Sequence, residues 1–265
     1  MVQPAVVRRA AALLCLIAGG CGSQGTKPAP LQPYMVSAIY PHDRAAFTEG
    51  LFFHDGALYE STGYRGRSTL RRVRIADGRV LRRVPFPDGV FGEGIARWKD
   101  GIIGLSWREG RAYRWDIGGF GRRGGFSYPG EGWGLTHDGR SLILSDGTAW
   151  LRFLDPATGR EIRRLRVSEN GRPVPRLNEL EWVDGCILAN VWGSTRIARI
   201  DPVTGKVGHW IELAPLAARS GAAGRESVAN GIAFDGKSRR LFVTGKNWGS
   251  LFVLRLAPIS GEARC

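Results

Sequence analysis

The stretch FGEGIA at residues 91–96 opens a pattern that returns along the chain. In each copy a polar or aromatic key residue precedes an apolar run, a tight turn and a second apolar run that ends on polar or aromatic side chains. The key residues are Glu49, Glu93, Trp133, Asn178 and Asn230. Successive key residues are 44, 40, 45 and 52 positions apart. A period of about 40–45 residues built from short strands is typical of a β-propeller blade with four strands.

Five copies predict an all-β protein, a five-bladed β-propeller. The last copy contains only three strand-like segments, at 231–234, 240–244 and 250–256. The alternating segment Met35–Tyr40 stands before the first copy and can supply the fourth strand. We therefore expect the ring to be closed by an N-terminal strand, because open strand edges at both ends of the array would otherwise be exposed.

The first strand of each blade lines the central channel, so the key residues should meet at one end of it. They differ in chemical type, whereas a purely structural repeat would keep one type, and this difference predicts a functional site. Polar or aromatic residues at the ends of the second strands should surround the same site. These further candidates are Glu60, Ser106, Trp107, Asp146, Asn190, Trp192 and Lys246.

Residues 1–21 have the pattern of a signal peptide, in which two arginines precede an apolar run and small residues lead to Cys21. The run is too short to span a membrane. The box Ala18-Gly19-Gly20-Cys21 predicts a lipoprotein cysteine, with plain cleavage and export as the alternative.

The rest of the chain divides into two parts. Residues 22–33 are rich in Gly, Pro, Gln and Lys, and we expect a flexible tether there. Residues 34–265 leave room for one propeller domain and no second domain. This organisation predicts an exported, periplasmic bacterial protein that is anchored to a membrane through Cys21 and acts as a monomer.

The net charge of +14 comes from 38 basic and 24 acidic residues. The arginines are spread along the outer strands, for example at 71–74, 82–83 and 163–164. Together with export, this distribution argues against a nucleic-acid partner. We interpret the charge as a solvated face, and attraction to anionic lipid or envelope surfaces is the alternative.

Two cysteines, Cys186 and Cys265, lie outside the predicted signal peptide and lipoprotein box. Export permits them to pair. Because Cys186 stands in an apolar strand, a buried inert thiol is the expectation. No CxxC motif or His-Cys cluster occurs, and the four histidines show no metal-ligand spacing, so we expect no metal site.

Glu93 is the candidate for acid–base chemistry. Phe91, Trp107 and Trp133 would exclude water from it and raise its pKa, so that it could take and give a proton near neutral pH. The alternative is that the glutamate of each such corner only accepts hydrogen bonds from backbone N–H groups of the blade turn. The sequence shows no GxSxG elbow and no Ser/His/Asp set, which disfavours covalent nucleophilic catalysis.

For four other residues, the sequence allows either a role in the site or a purely structural role. Lys246 is one of few lysines in an arginine-rich chain, yet it could be an ordinary surface residue. Trp107, Trp133 and Trp192 could be core between blades, or could wall a small pocket for an apolar or cationic ligand.

Seven motifs in this order resemble the glutamine cyclotransferases of plants and bacteria, a family of five-bladed propellers unrelated to the zinc-dependent animal enzymes. The motifs are FTEGL (47–51), FGEG (91–94), GWGL (132–135), LNELEW (177–182), NVW (190–192), NGIAFD (230–235) and TGKNW (244–248). The resemblance covers roughly residues 34–256. It implies conversion of an N-terminal glutamine of peptides or proteins to pyroglutamate, with loss of ammonia and without a metal or organic cofactor.

The resemblance also suggests roles for single residues. Glu93 matches the family's proposed proton-transfer carboxylate. The pocket residues of the family match Phe47, Trp107, Trp133, Asn178, Trp192 and Lys246. We expect Glu93, Lys246 and Asn178 to be catalytic, the last two by stabilising the oxyanion. Substrate binding is expected from Phe47, Glu49, Trp107, Trp133, Trp192 and Asn230.

One departure from the family pattern concerns Glu49, which stands where the plant enzymes carry Gln. This second carboxylate could hold the substrate's α-ammonium group or compete with Glu93 as the base. Two other functions remain open at this stage. One is a metal-dependent propeller hydrolase of the gluconolactonase kind, with Ca²⁺ held by Glu and Asn residues. The other is a non-catalytic, lipid-anchored binding propeller of the cell envelope.

Overall fold

The computed structural model describes residues 27–259 and Cys265. Within them, five antiparallel sheets of four strands form the blades of the predicted five-bladed β-propeller. Each blade occupies one copy of the sequence repeat.

The strands follow one another in chain order. The first strand is β1 (Tyr34–Pro41). Blade one contains β2 (Thr48–His54), β3 (Ala57–Thr62), β4 (Thr69–Arg74) and β5 (Val80–Pro85). Blade two contains β6 (Gly92–Trp98), β7 (Gly101–Ser106), β8 (Arg111–Asp116) and β9 (Arg122–Ser127). Blade three contains β10 (Leu135–His137), β11 (Leu142–Ser145), β12 (Trp150–Leu154) and β13 (Glu161–Arg166).

A two-stranded hairpin precedes blade four and is formed by β14 (Ser168–Glu169) and β15 (Arg172–Pro173). Blade four contains β16 (Leu177–Val183), β17 (Cys186–Val191), β18 (Arg196–Ile200) and β19 (Val207–Glu212). A short helix, α1 (Ala214–Arg219), follows. Blade five contains β20 (Ala229–Asp235), β21 (Arg240–Gly245) and β22 (Ser250–Leu256).

The N-terminal strand completes blade five, as the sequence predicts. β1 pairs antiparallel with β22, from Tyr34 opposite Leu256 to Pro41 opposite Ser250. The strand order in this sheet is β1-β22-β21-β20. The first and last strands of the propeller therefore lie side by side in blade five. The chain continues from β1 directly into blade one, which connects the two blades covalently.

Close packing at the channel explains why glycine follows a key residue. A Cβ atom on Gly94 would lie 2.6 Å from the carbonyl oxygen of Trp133, and one on Gly134 would lie 2.0 Å from that of Asn178. Neighbouring first strands thus approach backbone to backbone, which only glycine allows. The same close approach places the key residues of adjacent blades next to one another.

The hydrophobic core is divided among the contacts between blades. Five buried clusters occur in the described residues, and each is built from two neighbouring blades. The cluster between blades five and one includes Leu51, Leu58, Phe242 and Val253. The blades therefore hold one another in a rigid ring through apolar burial.

The cysteine expectation was wrong. Cys186 and Cys265 form a disulfide across 79 positions of sequence. Cys186 begins β17 in blade four, so the bond brings the C-terminus back from blade five to blade four. His209 Nδ1 also donates a hydrogen bond to the carbonyl of Cys265, at 3.0 Å. The apolar pattern around Cys186 does not reveal that a distant cysteine lies beside it.

Part of the expected tether packs against blade four. Trp210 N donates to the Pro30 carbonyl at 2.9 Å, and Gln32 N donates to the Trp210 carbonyl at 2.7 Å. Leu31 forms a parallel bridge to the same tryptophan. Residues 30–32 therefore run beside β19. The predicted signal peptide, Cys21 and the rest of the tether lie outside the described residues. In the part that is described, no helix has the length and apolar character needed to cross a membrane.

Candidate active site

A cavity of about 360 Å³ lies at the end of the channel where the first strands begin and the second strands end. Eight of the nine site residues expected from the sequence line it. The lining consists of Phe47, Glu49, Tyr64, Phe91, Glu93, Trp107, Trp133, Asn178, Trp192, Glu226 and Lys246. All five blades contribute, because the key residues and second-strand ends converge here.

A larger recess of about 1150 Å³ lies elsewhere, on the side of blades four and five. It is bordered by Tyr34, Asp184, Arg239 and Ile259. None of the key residues reaches it. Its size therefore says nothing about the chemistry at the channel.

Three ionisable groups meet at the bottom of the smaller cavity. Lys246 Nζ donates to Glu49 Oε1 at 2.8 Å and lies 2.8 Å from Oε2 as well. The carboxyl group of Glu93 also lies close enough to that of Glu49 for each to shift the pKa of the other. All three side chains are buried, with Glu49 fully inaccessible to solvent. Two neighbouring carboxylates repel each other, which favours a proton on one of them.

The surroundings decide which carboxyl keeps that proton. Burial, followed by the charge of Glu49, raises the pKa of Glu93 well above its ordinary value. Burial raises the pKa of Glu49 too, but the Lys246 ammonium opposes this rise. Glu93 is consequently the proton-holding member, and Glu49 is the anion paired with the lysine.

Aromatic rings form the walls above these charges. The ring centroids of Phe47 and Tyr64 are 4.5 Å apart, and those of Phe91 and Trp107 are 5.5 Å apart. Lys246 Nζ lies 4.4 Å from the centroid of Phe47. Such walls exclude water and strengthen electrostatic interactions inside the cavity.

A carboxylate outside the lining joins two of the walls. Glu131 Oε2 accepts hydrogen bonds from Trp107 Nε1 at 2.8 Å and from Trp133 Nε1 at 2.9 Å. Its other oxygen accepts from Arg108 Nε at 3.3 Å. The sequence reading missed this residue, although it stands two positions before a key tryptophan.

Two further lining residues were also missed. Tyr64 lies in the turn after β3, beyond the strand end that was considered. Glu226 lies between α1 and β20, within the longest step between key residues. The extra length of that step was the signal that this segment differs from the other blade connections.

Asn230 is the expected site residue that does not line the cavity. Its Nδ2 donates to the Thr48 carbonyl at 2.9 Å and to Glu49 Oε2 at 3.3 Å. It is fully buried behind Glu49. The repeat predicted its convergence on the channel, but the amide faces the neighbouring backbone and holds Glu49 instead of meeting a ligand.

Four second-strand candidates also lie outside the lining. Glu60 accepts from Thr48 Oγ1 at 2.7 Å and pairs with His42 Nε2 at 3.0 Å. The others, Ser106, Asp146 and Asn190, bond to nearby turn and strand groups. The sequence placed them correctly at or near strand ends, but their side chains form hydrogen bonds within and between blades and do not line the cavity.

Asn178 differs from the other asparagines because it borders the cavity. Its Oδ1 is buried and has no hydrogen-bond partner within the described residues. Buried polar atoms are normally satisfied, so an unpartnered one at a cavity wall is suited to a ligand group. The amide can accept from an amine or, through Nδ2, donate to a carbonyl oxygen.

The backbone-capping role considered for the key glutamates belongs to a different residue. Glu179, which follows Asn178 where other blades have glycine, accepts from Leu51 N at 3.2 Å and from Ile232 N at 2.8 Å. It therefore ties blade four to blades one and five. Within residues 27–259 and Cys265, no group of three or more His, Cys, Asp or Glu side chains is arranged to hold a metal ion.

Comparison with known proteins agrees with this geometry. Residues 9–256 match the family described as glutamine cyclotransferase. A glutaminyl-peptide cyclotransferase of Arabidopsis thaliana is 38% identical over 233 residues, covering 86% of this chain and 72% of the plant protein. The crystal structure of Myxococcus xanthus glutaminyl cyclase superposes with a TM-score of 0.83 at 35% identity, covering 88% of this chain and all of that one. The chain therefore belongs to the glutamine cyclotransferase family of enzymes.

Proposed function

We propose that this enzyme cyclises the N-terminal glutamine of peptides or proteins to pyroglutamate and releases ammonia, by metal-independent acid–base catalysis. The observation that carries the proposal is the meeting of Glu49, Glu93 and Lys246 at the bottom of a small aromatic cavity. The names of the plant and bacterial relatives support the same substrate class.

The reaction needs the substrate to fold onto itself. Its α-amine attacks the γ-carboxamide carbon, a ring C–N bond forms, and the bond to the amide nitrogen breaks. Holding both groups in reactive contact removes much of the entropic cost of the step. Phe47, Trp107 and Trp133 would hold the compact conformer and keep water from hydrolysing the amide.

Glu93 would move the protons. Protonated Glu93 gives its proton to the departing amide nitrogen, which leaves as ammonia. Glu93, which keeps some accessible surface whereas Glu49 has none, then takes up the proton that the attacking amine releases, while Glu49 keeps its negative charge beside Lys246. Acid–base help of this kind contributes about 10²–10⁴ in rate.

Lys246 and Asn178 would stabilise the charge that develops on the carbonyl oxygen. Among the described residues, the hydrogen bonds of Lys246 Nζ go to Glu49 alone. Because Lys246 also lines the cavity, its ammonium can donate to the substrate as well. The Asn178 amide borders the same space. Each oxyanion donor is worth on the order of 3 kcal/mol.

The test is ammonia release from a short peptide that begins with glutamine, with and without a metal chelator. We expect release unaffected by chelator, together with a peptide mass loss of one ammonia. An Nα-acetylated copy of the peptide is the matched control, because its blocked amine cannot attack. Release abolished by chelator would contradict the metal-independent part, and no release from the free peptide would contradict the activity itself.

We also propose that the protein is exported and anchored through Cys21, which rests on the sequence of residues 1–21. Cys21→Ser should move the protein from the membrane fraction to the soluble periplasmic fraction without changing its turnover. Equal membrane association of both forms would count against the anchor.

A further inference from the structure

We propose that Glu131 is a positioning residue of this site: its carboxylate orients the indoles of Trp107 and Trp133, and so sets how tightly the substrate side chain is held. The inference rests on the proposed cyclisation. Glu131 does not line the cavity, and therefore acts on the substrate through the two tryptophans.

The geometry is a clamp across a blade boundary. Trp107 follows β7 in blade two, and Trp133 precedes β10 in blade three. One oxygen of Glu131 accepts both indole N–H groups, at 2.8 and 2.9 Å. An indole N–H is a donor only, so each ring is directional and needs an acceptor at this spot. The shared oxygen thus fixes the orientation of both rings together.

The rings are covered on their other sides by different partners. The Arg108 guanidinium lies 3.8 Å from the centroid of Trp107, and the same arginine donates to Glu131 Oε1. Trp133 packs against Gly147, where an added Cβ would come within 2.7 Å of the ring. These contacts restrict where the rings lie. Among the described residues, both indole N–H groups donate to Glu131, so these hydrogen bonds set the direction of each N–H edge.

Glu131 is charged in this position. Burial raises its pKa, but hydrogen bonds from Trp133, Trp107 and Arg108 outweigh that effect and lower it. Its charge also contributes to the raised pKa of Glu93. A change at Glu131 should therefore alter both substrate affinity and the pH dependence of turnover, which a purely structural carboxylate would not do.

The experiment compares Glu131→Ala, Glu131→Gln and the control Glu109→Gln. Glu109 pairs with Arg65 at 2.8 Å and accepts from the Arg108 backbone N–H at 3.3 Å, whereas both indole N–H groups of the clamp donate to Glu131. For Glu131→Ala we expect KM for a Gln-initiated peptide to rise about ten- to hundredfold, the range for losing charge-assisted hydrogen bonds, with kcat changed far less. Glu131→Gln keeps a neutral acceptor, so KM should rise less in this variant.

Two other readouts separate positioning from loss of structure. In both Glu131 variants the alkaline limb of the pH profile should move to lower pH, because removing a negative charge lowers the pKa of Glu93. The thermal midpoint should stay close to that of Glu109→Gln. Unchanged KM, an equal rise in Glu109→Gln, or a lower midpoint without the KM and pH effects would overturn the inference.

Binding can be measured without turnover. In a Glu93→Gln background, tryptophan fluorescence titration with the same peptide should show weaker binding when Glu131→Ala is added. Equal affinity in the single and double variants would overturn the clamp. Failure of the wild-type protein to release ammonia would instead count against the proposed function, so the two ideas fail in different measurements.

Discussion

Glu93 and Glu179 are both buried carboxyl groups on first strands of their blades, and both have a pKa raised well above the ordinary value. Burial is the largest cause in each case. Glu93 borders a cavity, with a carboxyl and an ammonium group close by. Glu179 accepts hydrogen bonds from the backbone of two neighbouring blades and borders no part of that cavity.

The comparison shows that burial and a raised pKa do not by themselves mark a catalytic carboxyl. What distinguishes Glu93 is the cavity beside it and the ammonium group of Lys246. Glu179 has its oxygens committed to amide groups that would otherwise lie unpaired in the core. The proposed mechanism therefore gives Glu93 the chemistry, whereas Glu179 joins neighbouring blades.

The strongest test of this contrast is Glu93→Gln. The change keeps the shape of the side chain but removes the transferable proton, so turnover should fall by about 10²–10⁴ while the fold is kept. Ammonia release and a thermal unfolding scan measure the two effects. Near-normal turnover in a folded variant would remove Glu93 from the mechanism.

Glu179→Ala should do the opposite. It leaves the amides of Leu51 and Ile232 without an acceptor in the core. At about 1–3 kcal/mol for each, the free energy of unfolding should fall by roughly 2–6 kcal/mol. Turnover per folded molecule should be largely retained. Urea unfolding and active-site-normalised kinetics provide the measurements, and Glu179→Gln, which keeps one acceptor oxygen, is the milder control.

Glu49→Gln tests the charge beside Glu93. The Glu49 charge raises the pKa of Glu93, whereas Lys246 lowers it. Removing the Glu49 anion should lower the pKa of Glu93, because the charge that raises it is gone and the lowering charge of Lys246 is no longer offset. Because protonated Glu93 is the proposed acid, the alkaline limb of the kcat profile should move to lower pH, further than in Glu131→Gln. A limb that stays in place would mean that Glu93 does not govern it.

Another buried carboxyl, Glu60, provides the test with the smallest expected effect. It pairs with His42, whose Nδ1 also donates to the Trp248 carbonyl at 2.7 Å. Burial lowers the pKa of His42, but the charge and hydrogen bond of Glu60 outweigh this and raise it. Burial raises the pKa of Glu60, but the same pairing outweighs this and lowers it.

The sign of the pH effect follows from these directions. The pair stabilises the fold fully between the ordinary pKa values of 4.5 for Glu60 and 6.5 for His42. Stability is lost above this window as pH rises through the raised pKa of His42. Urea midpoints of wild type and His42→Gln should therefore converge as pH rises from 6.5. A constant difference between them across this range would contradict the assignment.

Much of the fold could be predicted because it follows from local sequence patterns. The spacing of the key residues defined the five blades, and the missing strand of the last copy pointed to Met35–Tyr40. The disulfide between Cys186 and Cys265 could not be read in this way. It joins two cysteines 79 positions apart, and no local signal shows that they lie side by side.

The candidate site was predictable to the level of strand position but not of side-chain direction. Glu93, Lys246 and the tryptophans reach the cavity, whereas Asn230 turns toward Thr48 and Glu49. Glu131 escaped notice because it is neither a key residue nor a strand end. Its role arises from two indoles that lie on different blades.

The sequence by itself determined the all-β architecture, the number of blades and the ring closure, because strand period, turns and repeat spacing are local properties of the chain. Only the tertiary structure decided which buried carboxyl faces a cavity and which caps the backbone. Neighbours from other blades fix the pKa and the partners of each group, and those neighbours are brought together only when the ring has closed.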